Sequence, residues 1–123
     1  MKLILCGSRD WSDRAAIAEV LNRILGHDVI AMHGDARGAD RLAAEIAREC
    51  GWATVPFPVT DADWKRYGRG AGPRRNLQML EAGAQLVVAF RCRGESPGTD
   101  HMVNSAMKAG VPVIVTLEEV SRP

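Results

Sequence analysis

"QLVVAFRCRGESPGTDHM", residues 85 to 102, joins an aliphatic run, Gln85 to Phe90, to a stretch of helical period through a loop of small residues. The run is short and apolar at consecutive positions, the pattern of a strand buried on both faces. Strands of that kind separated by helices imply a parallel sheet with helices on both sides. The loop holds Gly94, Ser96, Pro97, Gly98 and Thr99, the make-up of an anion cradle at a helix N-terminus, yet no lysine follows Gly98-Thr99 as a P-loop requires.

The same grammar recurs along the chain. Lys2 to Cys6, Asp28 to Met32, Ala53 to Phe57 and Val111 to Leu117 read as further strands, rich in Val, Ile and Leu and bounded by Gly, Pro or Asp. Ala15-Ala16, Val20-Leu21 and Ile24-Leu25 form an apolar helical stripe after a cap at Ser12 or Asp13, stopped by Gly26. Leu42-Ala43, Ile46-Ala47 and Cys50 form a second, ending at Gly51; Asn76 to Ala82 and Asp100 to Ala109 supply two more helices, ending at Gly83 and Gly110. The fold class is α/β: a Rossmann-like, doubly wound, parallel five-stranded sheet of order 3-2-1-4-5 with helices on both faces and right-handed crossovers. Ligands of such sheets sit beyond the carboxyl ends of the strands where the order reverses, here between the first and fourth. Residues 1–123 read as one domain. Val59 to Pro73, with Gly68, Gly70 and Gly72, is expected to be an irregular flap.

Bulk properties narrow the partner. A chain of 123 residues buries roughly two-thirds of its extended surface and needs no disulfide or metal staple. Sixteen basic against fifteen acidic side chains give a net charge of +1, which disfavours general polyanion binding but permits a local basic cluster around a small anion. Cys6, Cys50 and Cys92 are odd in number and lack metal-type spacing, so idle thiols in a reducing cytoplasm are expected, with no metal and no cofactor. No signal peptide and no apolar run near 18 residues is visible, which argues against secretion and membrane spanning.

Four loops at the carboxyl edge hold the unusual residues. After strand one, Gly7 would let a ligand approach the backbone, Ser8 could donate a hydrogen bond and Arg9 could pair with phosphate. After strand two, in "HGDARGAD", Asp35 and Asp40 could accept ribose hydroxyls while Gly34 and Gly38 keep the helix entrance open; Asp35 could equally be a cap and His33 a near-core imidazole. In "GPRRN", Arg74 and Arg75 diverge by about 100° around a helix, so one of them faces solvent. Trp64 and Tyr67 could cover a base or simply pack on the surface. The fourth loop carries Gly94, Ser96, Pro97, Gly98 and Thr99. A helix N-terminus favours an anion by about 0.3 to 1 kcal/mol, or about 2 when partly buried, whereas micromolar affinity needs about 8. Arginines at about 1.5 to 3 kcal/mol each and a sugar and base must supply the rest, which favours a nucleotide over free phosphate.

The ordered set "GSRDW", "HGDARGAD", "DADW", "AGPRRNLQM" and "SPGTDHMVNSAMKAGVPV" resembles the YspA-like branch of the SLOG superfamily, which is related to the Lonely Guy phosphoribohydrolases and DprA. The resemblance spans nearly the whole chain. It implies a Rossmann-like fold, a nucleotide or nucleotide-derived ligand, a bacterial or phage setting and a homodimer. The hydrolase members carry Arg-Lys-x-x-Met before a Pro-Gly-Gly-x-Gly-Thr-x-x-Glu loop, with the arginine and final glutamate catalytic. Arg75-Asn76-Leu77-Gln78-Met79 is similar to the first with asparagine for lysine, which selects Arg75 as the pocket arginine; the second is matched loosely, and its glutamate falls on Met102. A thioether exchanges no protons, so Asp100 is the substitute carboxylate nearest that position.

The expected role is therefore binding of a nucleotide or nucleotide-derived ligand, as a sensor or accessory protein. The alternative is a phosphoribohydrolase-like enzyme cleaving the N-glycosidic bond of a nucleoside monophosphate, with Arg75 on phosphate and Asp100 or Asp35 as acid-base group. Single-stranded DNA binding is a weaker third, since only three Trp, one Tyr and two Phe are available for stacking.

Overall fold

The computed structural model describes residues 1–24 and 28–119. Five parallel strands, β1 (Lys2–Gly7), β2 (Ile30–His33), β3 (Ala53–Pro56), β4 (Leu86–Arg91) and β5 (Val113–Leu117), form one sheet in the order β3-β2-β1-β4-β5. The topology matches the expectation from sequence. The helices are α1 (Arg14–Asn22), α2 (Ala39–Glu49), α3 (Asp61–Tyr67), α4 (Ala71–Glu81) and α5 (Pro97–Lys108). The expected stop of the first helix at Leu25 and Gly26 lies outside the described residues.

The central strands serve two cores at once because successive side chains point to opposite faces. Leu3, Leu5, Ala31, Val88 and Phe90 pack with Ile17 and Leu21 of α1 and Ala43, Ile46 and Ala47 of α2. Ile4, Cys6, Met32, Val87 and Ala89 pack with Met79 of α4 and Met102 and Ala106 of α5. This is why the runs are apolar at consecutive positions, and why register matters: β1 pairs Leu3 with both Ala31 and Leu86, so a slip of one residue would exchange the cores. Trp11, against Phe90 at 5.6 Å between ring centroids, with its Nε1–H donating to the Asp13 carbonyl at 2.9 Å, folds the loop after β1 onto the first core. Of the two candidate caps for α1, Asp13 is the one used: its Oδ1 accepts from the Ala16 amide at 3.1 Å.

The expected flap from Val59 to Pro73 is instead mostly helical. Thr60 and Asp63 close a capping box, each side chain accepting from the other's backbone N–H at 3.1 Å, which starts α3. Gly68 ends α3 at φ 54°, and a single 3-10 turn, Gly68–Gly70, leads into α4 at Ala71. The glycines are there for one tight turn between helices, which composition alone does not distinguish from a loose loop. For the same reason α4 starts before Asn76, and α5 starts at Pro97 rather than Asp100, proline being suited to a first helical turn. Among the described residues no helix is long and apolar enough to cross a membrane.

Candidate functional site

Where the strand order reverses between β1 and β4, a cleft of about 350 Å³ opens at the carboxyl edge. It gathers Gly7, Ser8 and Arg9 from the end of β1, Asp40 from α2, Arg75 and Asn76 from α4, and Ser96, Pro97, Gly98 and Thr99 from the start of α5. Residues spread over most of the chain thus meet in one place.

Three buried hydroxyls build the side of the cleft nearest α5. The Cys92 amide donates to Ser8 Oγ at 2.9 Å, Ser8 Oγ lies 2.9 Å from Ser96 Oγ, and Ser96 Oγ donates to Thr99 Oγ1 at 3.0 Å. Because Ser96 spends its single proton on Thr99, Ser8 is the donor to Ser96, and the chain of donation runs one way. Thr99 is left with a proton that no described residue accepts. Ser96 occupies the N-cap position of α5 but makes no capping bond with its side chain, so the Gly98 and Thr99 amides, which have no intrahelical acceptor, keep their donors. The loop is therefore rich in unspent N–H and O–H groups at the positive end of a helix.

The opposite wall is a linked set around Arg75. Its Nη1 donates to the Gly34 carbonyl at 2.8 Å and the Phe57 carbonyl at 3.3 Å, and its Nε to Asn76 Oδ1 at 3.2 Å. Asn76 in turn donates through Nδ2 to the Gly98 carbonyl at 3.2 Å, tying the arginine to the start of α5. Burial lowers the Arg75 pKa, opposed by the negative charge of Asp40. Asp40 is buried, accepts from the Gly34 amide at 3.2 Å, and has its pKa pushed up to about 6 by desolvation, with Arg75 and backbone amides working against that rise. Arg74 points away, as the helical geometry requires, and lies over the Tyr67 ring at 4.4 Å.

Several expected site residues have other duties. Gly34 and Asp35 line an adjoining cleft, and a Cβ on Gly34 would overlap the Arg75 guanidinium, so this glycine makes room for an arginine. Gly38, at φ 78°, caps α2 where a Cβ would strike the Ser8 and Arg9 carbonyls. Gly7 lines the cleft, but what excludes a side chain there is the Phe90 carbonyl and Ala39. Gly94 makes a positive-φ turn outside the lining. Asp100 is absent from the lining too: Arg91 grips it with Nε–Oδ1 at 2.7 Å and Nη2–Oδ2 at 3.0 Å, which holds its pKa below the usual carboxylate range. Met102, at the hydrolase glutamate position, is fully buried in the second core. His33 is a near-core imidazole whose Nδ1 accepts from the Asp35 amide at 3.1 Å.

The sequence reading missed Arg37, Arg93, Asp10 and Glu95, all on the cleft lining. Each lies in a loop already singled out, but an isolated charged residue in a loop carries no pattern that separates it from ordinary surface. Among the described residues no group of three or more His, Cys, Asp or Glu stands together as a metal site.

A parallel five-stranded sheet with its cleft at the switch point, an arginine-lined wall and an uncapped helix N-terminus defines a Rossmann-like α/β domain. The family model of the YspA, cpYpsA-related SLOG family matches residues 1–67. The "Gene 61 protein" of Mycobacterium phage D29 is 40% identical over 120 residues, covering 92% of this chain and 94% of that protein. The chain belongs to the YspA, cpYpsA-related SLOG family. Its fold is similar to that of DNA processing protein A (DprA) from Streptococcus pneumoniae, with a TM-score of 0.52 at 15% identity over 92% of this chain; the match spans 57% of the DprA chain.

Proposed function

We propose that the cleft binds a nucleotide or nucleotide-derived ligand, its phosphate seated on the amides and Thr99 hydroxyl at the start of α5, and that the protein acts as a sensor or accessory protein. Membership of the SLOG family and the DprA-like fold support a nucleotide-related or DNA-processing role. The observation that carries the finer reading is the uncapped α5 N-terminus lining the same cleft as Arg9, Arg75 and Arg93. Thermal-shift and calorimetric titrations with AMP, GMP, CMP and UMP test it: saturable stabilisation is expected, and no response to any of them would refute it. A homodimer belongs to the same reading, supported by the exposed apolar side chains Ile114, Val115 and Leu117 on edge strand β5.

One observation favours hydrolysis as a second reading. Asp40 is a buried cleft carboxyl with a pKa near 6, in the range suited to proton transfer near neutral pH. It takes the acid-base role earlier assigned to Asp100 or Asp35. Chromatography for free base separates the two readings: steady release by the wild type, lost in Asp40→Asn, would make the protein an N-glycosidase, and silence keeps it a binder.

A further inference from the structure

The site has a second chamber beside the first. A cleft of about 510 Å³ adjoins the first and shares Arg9, Ala36, Arg37 and Arg75 with it, so the two lie side by side. Its own walls include Trp64, Pro58 and Val59. Trp64 is 47% exposed, whereas Trp11 and Trp52 are 3% and 7% exposed in or beside the core. Exposure of so large an apolar ring beside a concave wall is a cost that a stacked partner removes. Tyr67 is not on this lining, and Arg66 and Arg74 lie over its ring at 5.2 and 4.4 Å. The capping box that begins α3 fixes the start of the helix bearing Trp64, so the backbone that carries the ring is set before any ligand arrives.

Charge divides the labour between the chambers. Among the described residues the only carboxylate lining the second is Asp35, and Arg41 stands 3.5 Å from it. Arg9 and Arg75, at the junction, face both spaces. The free N–H and O–H donors lie in the first chamber, at α5, and the stacking surface in the second. Resting on the phosphate site proposed above, the geometry points to a nucleoside monophosphate that lies across both chambers, phosphate at α5 and base against Trp64, with Trp64 as the base-recognition residue of this chain.

The full-length protein is titrated with ribose 5-phosphate and with AMP, GMP, CMP and UMP, reading Kd by calorimetry and the accessibility of Trp64 by acrylamide quenching. Bound nucleotide is expected to shield Trp64 and ribose 5-phosphate is not. Trp64→Ala should weaken nucleotide binding by about 5- to 150-fold, the range of one lost base–aromatic stack, leave ribose 5-phosphate unchanged, and be largely rescued in Trp64→Phe. Nucleotide binding unaltered by Trp64→Ala, or an equal loss for ribose 5-phosphate, overturns the base site while leaving the phosphate site intact. Binding of neither class to the wild type overturns both.

Discussion

Asp40 offers a test that needs no ligand. Its carboxyl has an ordinary value of 3.8 and a folded-state value near 6, raised chiefly by burial. At about 1.36 kcal/mol per pH unit, that rise corresponds to about 3 kcal/mol. Below pH 4 the group is protonated in both folded and unfolded chains and costs nothing. Between pH 4 and pH 6 the folded state holds a proton that the unfolded state has released, so the unfolding free energy from this group falls as pH rises. Above pH 6 the buried carboxylate carries its full cost. The effect opposes that of a salt-bridged aspartate such as Asp100, whose pKa is lowered by Arg91 and whose stabilisation is lost on acidification.

Asp40→Asn keeps the shape and the acceptor for the Gly34 amide and removes the titration. Urea unfolding of wild type and variant at half-unit intervals from pH 4 to pH 7.5 isolates Asp40, since all other groups cancel in the difference. The difference, variant minus wild type, should climb by about 3 kcal/mol across pH 4 to 6 and then level off. The attraction between Arg75 and ionised Asp40 is already contained in the folded-state value near 6, so it adds no separate step to the curve. Parallel pH profiles for the two proteins would show that Asp40 titrates normally and is not the desolvated group its burial indicates.

Other consequences follow from single residues. Arg93→Ala and Arg9→Ala, whose guanidiniums make no hydrogen bond among the described residues comparable to those of Arg75, should each weaken AMP by roughly tenfold, about 1.4 kcal/mol, with the ligand-free melting temperature unchanged; an unaltered calorimetric Kd in both would remove them from the anion site. Arg75→Ala should lower the ligand-free melting temperature as well as affinity, because Nη1 joins the segments after β2 and β3 to α4; calorimetry without ligand checks this. Met102→Glu should destabilise by several kcal/mol in urea unfolding, placing a carboxylate at a fully buried site; a folded variant that gains base release would contradict that placement. Val115→Lys, on the exposed face of edge strand β5, should yield monomer by sedimentation if the homodimer uses that edge.

Sheet order and the location of the cleft were legible because both follow from local pattern. Consecutive apolar residues in Leu3–Cys6 and Val87–Phe90 can only be satisfied between two helical layers, and the switch point then fixes where the loops converge. The helical character of Val59 to Pro73 was hidden because its start is a Thr60-Asp63 box and its turn needs Gly68, so the glycine count outweighed the cap. The fate of Asp100 was hidden for another reason: its partner Arg91 is the last residue of β4, and nothing in the sequence says that an arginine leaving a strand turns back onto the next helix.

What the sequence concealed most fully is that "HGDARGAD" and "GPRRN" are halves of one device. Gly34 has no side chain, so the Arg75 guanidinium occupies that space and donates to the Gly34 carbonyl from 41 residues away. The Gly34 amide, on the same peptide segment, donates to Asp40, whose charge acts back on Arg75. The three groups form a ring in which the glycine is the spacer, the arginine the clamp and the aspartate the counter-charge. Gly34→Ala must displace the guanidinium, so its cost should largely vanish when Arg75 is already alanine. A double-mutant cycle by urea unfolding reads this directly: strong non-additivity between Gly34→Ala and Arg75→Ala is expected. Additive losses would mean that the glycine serves the backbone alone and that the arginine's place in the cleft wall is set by something other than the room left for it.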